Sequence, residues 1–152
     1  MAQVVIKPAQ FGQGLFAVEP IVAGTVIGVA TGPIINFSTA LQKNDRECDA
    51  LQVEPDSYLD WPDPLRLANH SCQPNCGLRN LEFVTLRDLM PGEEILWDYS
   101  TSMDEDSWTM TCLCGSPNCR GTIKDFRLLP PTLQQHYLSL GIVLPFIAEQ
   151  YG

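Results

Sequence analysis

The sequence predicts a mainly β fold of many short strands, with helix confined to the C-terminal end and one cysteine-rich loop. Short apolar or β-branched segments follow one another and are separated by glycine and proline turns, such as Gly32-Pro33 and 90–92. A helix start is recognisable only late in the chain, after Pro130-Pro131. Three closely spaced cysteines form a C-x-C-x4-C pattern, at Cys112, Cys114 and Cys119.

The elements are expected in a regular order. The predicted strands are 4–6, 15–18, 25–30, 34–37, 49–53, 57–61, 81–86 and 94–99. Segment 81–86 alternates apolar and polar residues, as a half-buried strand does. We expect 38–48 to be a loop or short helix and 100–111 to be a mobile connection. Thr132 is a possible N-cap of the final helix, Gly141 ends it, and 145–151 could add one more turn.

The composition favours a single globular domain. The 152 residues are 45% hydrophobic and 18% charged, and they carry a net charge of -9. That charge repels phosphate backbones, so nucleic acid is an unexpected ligand, whereas a basic peptide or an amine would be attracted. We find neither eighteen consecutive apolar residues nor a secretory signal, so we expect no membrane contact. Six cysteines without a signal indicate a reducing compartment, and hence an intracellular protein, cytoplasmic or nuclear.

The C-x-C-x4-C loop is typical of a structural zinc site. Zinc takes four ligands in tetrahedral geometry, and thiolates at short spacing can bind it from one tight loop. The residues between Cys114 and Cys119 are turn formers, which suits a loop folded around a metal. A closed site requires a fourth ligand from elsewhere in the chain. The alternative is a set of free thiols, as we expect for Cys48.

Four segments resemble the motifs of one family in the correct order, over about residues 10–124. They are FGQGLFAVEPIVAGTVI (11–27), RLANHSCQPNC (66–76), GEEILWDYS (92–100) and CLCGSPNCRGTI (112–123). Together they resemble the SET-domain family of S-adenosylmethionine-dependent protein-lysine methyltransferases, with a zinc-binding post-SET segment. The resemblance implies a SET fold of several short sheets with a knot-like C-terminal threading. It also implies a SET domain over 1–107, a post-SET segment over 108–124 and a C-terminal helical extension over 125–152.

The resemblance also implies roles for individual residues. Tyr99 matches the catalytic tyrosine beside the transferring methyl group. The residues matching the S-adenosylmethionine contacts are Gln13, Gly14, Arg66, Asn69, His70 and Tyr99. The residues matching the zinc ligands are Cys72, Cys112, Cys114 and Cys119. Two alternatives stay open at this point: Cys76 could replace Cys72 as a ligand, and Arg66 could pair with a nearby carboxylate, such as Asp98, instead of lining the pocket.

Two departures from the family pattern concern the substrate channel. Ala30 stands where most active members carry a second tyrosine, and Tyr58 could compensate from a neighbouring strand. Trp97 replaces the phenylalanine or tyrosine that sets how many methyl groups fit on the amine. The leading hypothesis is methylation of a lysine in a protein or peptide. The alternatives are a SET-fold enzyme acting on a small-molecule amine and an inactive zinc-stabilised module that binds a basic peptide.

The segment 128–152 lies outside the motifs. It could pack on the fold as a helical cap or form a dimer contact, so the sequence is compatible with a monomer or a dimer.

Overall fold

The computed structural model describes residues 3–10, 12–43, 50–106 and 109–152, and in this part of the chain it shows twelve short strands and three short α-helices. The strands are β1 (Val4–Pro8), β2 (Gln13–Ala17), β3 (Val26–Val29), β4 (Ile34–Ile35), β5 (Leu51–Glu54), β6 (Ser57–Leu59), β7 (Asn69–His70), β8 (Cys76–Arg79), β9 (Glu82–Thr85), β10 (Leu96–Trp97), β11 (Met110–Thr111) and β12 (Thr122–Ile123). The α-helices are α1 (Phe37–Lys43), α2 (Pro131–Leu140) and α3 (Pro145–Ala148). The mainly β prediction is therefore confirmed.

The strands form several small sheets. Three are antiparallel, with the orders β1-β2, β3-β9-β8 and β4-β6-β5, and β11 pairs antiparallel with β12. The remaining pair, β7 and β10, is parallel, with Asn69 opposite Leu96 and His70 opposite Trp97. This pairing joins two strands of only two residues each. It positions the candidate site, because it brings two motifs that are distant in sequence side by side.

The C-terminal segment packs on the sheets as a cap. Tyr137 and Ile142 share a hydrophobic cluster with Val84 of β9 and with Phe126. A Cβ at Gly77 of β8 would lie 2.8 Å from Cβ of Ile142, so the glycine permits this close approach. No helix among the described residues is long and apolar enough to cross a membrane.

The structure differs from the sequence prediction directly after β10. Segment 100–111 was expected to be a mobile connection, but residues Tyr99–Ser102 form a buried 3-10 helix. The Asp98 side chain accepts a hydrogen bond from the Ser100 N–H at 3.1 Å, and Ser100 Oγ donates to the Lys124 carbonyl at 2.6 Å. The small polar residues that suggested a loop are therefore hydrogen-bonded inside the fold.

The C-terminal helix follows the sequence prediction closely. It begins at Pro131 with Pro130 as its N-cap, two residues before Thr132, so the prediction of Thr132 as the N-cap was wrong. Gly141 ends it in the left-handed conformation, with a φ of 71°.

Candidate active site and metal centre

Four cysteine sulfurs converge at the end of the β11–β12 hairpin. The Sγ atoms of Cys72, Cys112, Cys114 and Cys119 all lie within 4.8 Å of one another. The pair Cys72 Sγ and Cys112 Sγ is 3.8 Å apart. A tetrahedral zinc site with Zn–S bonds of about 2.3 Å requires sulfur–sulfur distances of about 3.8 Å. The cluster therefore has the donor set and the spacing that a closed structural zinc site requires.

Backbone geometry shapes the loop around these thiols. Gly115 and Gly121 both adopt left-handed φ values of 76°, which only glycine takes without strain. The Cys112 N–H donates to the Gly121 carbonyl at 2.8 Å and closes the hairpin. The Arg120 N–H donates to Cys72 Sγ at 3.4 Å. Such an N–H···S hydrogen bond stabilises a negatively charged thiolate. It also links the loop to Cys72 in the middle of the chain.

The alternative ligand Cys76 lies outside this cluster. It is fully buried in β8, and burial raises the pKa of its thiol to about 12, against a smaller opposing effect of Arg87. Between the two open candidates, the structure thus brings Cys72 to the other three thiols. Cys48 lies outside the described residues.

His70 connects the thiol cluster to Tyr99. The Tyr99 N–H donates to His70 Nδ1 at 3.1 Å, so Nε2 carries the ring proton and is the donor to Cys72 Sγ at 3.4 Å. Burial lowers the pKa of His70 to about 4, although Asp98 acts in the opposite direction. The imidazole is therefore neutral, as both hydrogen bonds require. Its side chain links a thiol to the backbone of the candidate catalytic residue.

Tyr99 and Trp97 meet at one carbonyl. The Tyr99 hydroxyl donates to the Ala68 carbonyl at 3.1 Å, and Trp97 Nε1 donates to the same oxygen at 3.3 Å. The two ring centroids are 5.0 Å apart. Both side chains are almost fully buried. The structure thus brings together the candidate catalytic tyrosine and the residue that departs from the family pattern.

Trp61 extends this aromatic group and was not predicted from sequence. Its ring packs edge-on against Trp97, with centroids 6.0 Å apart. Its Nε1 is buried and has no hydrogen-bond partner within the described ranges. Ala30 belongs to the same hydrophobic cluster and is 2% exposed, so no hydroxyl comes from that position.

Tyr58 occupies a different place from the one considered for it. It lies in a small separate cluster with Ala40 and Ala50, and its ring packs against Phe37. Its hydroxyl donates to the Glu105 carboxylate. The strand β6, which carries Tyr58, pairs with β4 and β5 and directs this side chain to the other cluster. Trp61, rather than Tyr58, is the residue of this region that reaches Trp97.

The candidate cofactor residues Gln13, Gly14 and Asn69 form a tight group. Asn69 Nδ2 donates to the Gln13 carbonyl at 3.0 Å and to Glu94 Oε2 at 2.9 Å. A Cβ on Gly14 would lie 2.5 Å from Glu94 Oε2 and 3.1 Å from Asn69 Nδ2. Gly14 is buried, and the absence of a side chain lets Glu94 and Asn69 pack directly against its backbone. Sequence reasoning did not single out Glu94, although it lies within the GEEILWDYS motif.

Arg66 binds a neighbouring carboxylate, and it is not the partner of Asp98. Its Nη2 lies 2.7 Å from Asp63 Oδ1, and its Nε donates to the same oxygen at 2.9 Å. Both side chains are partly exposed. Arg66 thus pairs with a nearby carboxylate, as the alternative expected, but this partner is Asp63 and not Asp98, which binds a different arginine.

That arginine is Arg120, the residue directly after Cys119. Its Nη1 and Nη2 bind the two carboxylate oxygens of Asp98, each at 2.8 Å. Burial opposes the charge on Arg120, but Asp98 outweighs it and raises the pKa of the guanidinium. The Tyr137 hydroxyl, from α2, donates to Asp98 Oδ2 at 2.8 Å. Neither Arg120 nor Tyr137 was predicted, since no local pattern reveals contacts across 22 and 39 residues.

Comparison with known proteins shows the family of the chain. The family described as the SET domain matches residues 12–100, more than half of the chain. A Cryptococcus neoformans protein named Histone-lysine N-methyltransferase, H3 lysine-36 specific, is 30% identical over 137 residues, covering 78% of this chain and 16% of that protein. A Saccharomyces cerevisiae protein named Histone-lysine N-methyltransferase, H3 lysine-4 specific, is 29% identical over 140 residues, covering 76% of this chain and 13% of that protein. The chain thus spans less than a fifth of the length of these relatives.

A solved structure supports the fold. It is a humanized mutant of the Chaetomium thermophilum Polycomb Repressive Complex 2 bound to the inhibitor GSK126, and it matches with a TM-score of 0.56 and 23% identity. The match covers 67% of this chain and 15% of that one. The motifs, the small sheets and these matches agree: the chain belongs to the SET-domain family.

Proposed function

We propose that this protein is an S-adenosylmethionine-dependent methyltransferase that modifies a lysine side chain of a protein. One observation carries the proposal. The parallel β7–β10 pair sets Asn69 and His70 beside Trp97 and Tyr99, and the Tyr99 hydroxyl lies 3.1 Å from the Ala68 carbonyl in a ring-lined, buried site. Membership of the SET-domain family supports the same conclusion.

The chemistry needs a dry site with a few placed polar atoms. A lysine with a pKa of about 10.4 must lose its proton before it attacks, at a cost of about 4–5 kcal/mol at pH 7. Buried surroundings disfavour the charged amine and offset part of this cost. The aromatic rings around Tyr99 exclude water, and the Tyr99 hydroxyl and the Ala68 carbonyl orient the reacting groups and stabilise the positive charge that they share.

The proposed cofactor residues are those around Gly14 and Asn69. The Asn69 amide, which Gln13 and Glu94 fix beside the Gly14 backbone, supports the binding of a small polar ligand at this point. We assign S-adenosylmethionine to Gln13, Gly14, Asn69, His70 and Tyr99, with Arg66 at the edge. When bound, the cofactor supplies the methyl group on its sulfonium.

The proposed metal is zinc, held by the four converging cysteines. It would join the mid-chain segment that carries His70 to the loop between β11 and β12. Because His70 also binds the Tyr99 N–H, the metal would support the active site and not only the C-terminal loop.

The proposed substrate class is a basic peptide. The curated relatives are named for lysine-36 and lysine-4 of H3, and the net charge of -9 attracts a lysine-rich chain. A second candidate is a small-molecule amine. It is favoured by Ala30, which brings no hydroxyl to the site, and by the bulk of Trp97.

Calorimetry followed by an activity screen tests the proposal. We expect the purified protein to bind S-adenosylmethionine and then to transfer labelled methyl groups to members of a lysine-peptide array. Absence of cofactor binding would exclude both methyltransferase assignments and would leave the inactive peptide-binding module. Binding with transfer only to small amines would exclude the protein-lysine assignment.

A further inference from the structure

Asp98 is the most constrained acidic residue in the described part of the site. Its side chain is 0% exposed, and it accepts hydrogen bonds from Arg120, Tyr137 and the Ser100 N–H. Each carboxylate oxygen is bound by two donors. A buried carboxylate with this many donors is held in one position, because moving it would break several charge-assisted hydrogen bonds at once.

The fixed position of Asp98 also constrains the neighbouring residue, Tyr99. It directly precedes Tyr99 in the chain and caps the 3-10 helix Tyr99–Ser102 by accepting from Ser100. The Thr101 Oγ1 donates to the Asp98 carbonyl at 2.8 Å, which fixes the backbone on the other side of the same residue. Asp98 therefore holds the backbone at the start of the short helix that carries Tyr99.

The two side chains that hold Asp98 lie outside residues 12–100, the part that matches the family. Arg120 follows the last cysteine of the metal cluster, and Tyr137 lies on α2 of the C-terminal cap. Burial and the charge of Asp98 both raise the pKa of Tyr137, so its hydroxyl remains a donor at physiological pH. Helix α2 thus contributes the Tyr137 hydroxyl to the hydrogen bonds that hold Asp98, in addition to its hydrophobic packing.

We propose that Arg120 and Tyr137 are positioning residues for Tyr99, acting through Asp98, so that the C-terminal helix completes the active site. This inference rests on the proposed function, in which Tyr99 is the catalytic residue. A positioning role predicts a result that a purely structural role does not. Loss of the Tyr137 hydroxyl should misplace Tyr99 while the fold and the metal cluster persist.

Tyr137→Phe is the decisive variant, because it removes one hydroxyl without changing the packed ring. Asp98 Oδ2 keeps its bond from Arg120 Nη1, so the ion pair survives. We expect kcat to fall about tenfold, a barrier increase of about 1.4 kcal/mol, with zinc content unchanged. The matched control is Tyr151→Phe, the same change at a partly exposed residue of the same segment that packs on Phe126. It should leave kcat unaltered.

Arg120→Lys is the second variant. A lysine ammonium cannot bind both carboxylate oxygens in the planar fork that the guanidinium uses. We expect the same loss in kcat at full zinc content. If Tyr137→Phe does not fold, Arg120→Lys is judged by the same criteria. An unchanged kcat in a folded variant, or a fall equal to that of Tyr151→Phe, would overturn the proposal.

Amide hydrogen exchange measures the positioning of Tyr99 whether or not the protein is active, so it tests this proposal separately from the proposed function. The Tyr99 N–H, which donates to His70, should exchange about tenfold faster in Tyr137→Phe. The Leu89 N–H, which donates to the Ile21 carbonyl, should exchange at the parent rate. Equal acceleration at both amides, or none at Tyr99, would refute positioning even if the parent protein proved inactive. An inactive parent protein would refute the proposed function alone.

Discussion

Replacement of Asp98 by asparagine should strongly destabilise the protein. The substitution keeps the size of the side chain but removes the charge that faces Arg120 at 2.8 Å, in surroundings where Asp98 is 0% and Arg120 15% exposed. Breaking a buried pair by neutralising one partner costs about 3–5 kcal/mol, because the other charge remains buried without compensation. We expect the free energy of unfolding to fall by that amount, and Tm to fall by about 6–20 °C for a chain of this size.

Urea denaturation followed by far-UV circular dichroism measures this effect. The control is Asp106→Asn, since Asp106 also binds an arginine, Arg127, but is 84% exposed. Exposed pairs contribute about 0–1 kcal/mol, so this control should stay close to the parent. The m-value should be unchanged in both variants. Equal destabilisation by the two substitutions, or less than about 1 kcal/mol for Asp98→Asn, would refute the role given to the buried pair.

Three further predictions concern the metal, the cofactor and the product. Cys72→Ser should lower the zinc content of the purified protein, whereas Cys76→Ser should keep the content at one ion per chain. Equal zinc content in the two variants would contradict the assignment of Cys72. Gly14→Ala should displace the Glu94 carboxylate and the Asn69 amide, and so raise the S-adenosylmethionine Kd about tenfold. An unchanged Kd in calorimetry would contradict the assignment of this group to the cofactor. Trp97→Phe should enlarge the substrate channel and shift the products towards more methyl groups per lysine, as measured by peptide mass spectrometry. An unaltered product distribution would argue against a role of Trp97 in limiting methylation.

Local chemistry explains what could be predicted from sequence. The spacing of Cys112, Cys114 and Cys119 predicts a shared metal because thiolates in one tight loop meet at one point. The RLANHSCQPNC motif added Cys72, which the structure brings to the other three. Gly141 ended the final helix as expected, because the left-handed C-cap is a local preference. The division of the chain into a SET domain, a post-SET segment and a C-terminal extension, at residues 107/108 and 124/125, stays a prediction.

Contacts between distant residues explain what was missed. Strands β7 and β10 have two residues each, too few for any periodicity, yet their pairing builds the site. Ser100 and its neighbours have the composition of a loop, and only the capping by Asp98 and the bond to the Lys124 carbonyl show why they are buried. Tyr137 has the pattern of an ordinary apolar helix residue. Its hydroxyl acquires a role only because α2 folds back onto Asp98.

The most direct test of the central claim compares the parent protein with Tyr99→Phe. Both proteins should bind zinc and S-adenosylmethionine with similar affinity, since the substitution removes only the hydroxyl that donates to the Ala68 carbonyl. Methyl transfer to a lysine peptide should be readily measured for the parent and should fall about 100-fold or more in the variant. Transfer by Tyr99→Phe at the parent rate would contradict the catalytic role of Tyr99.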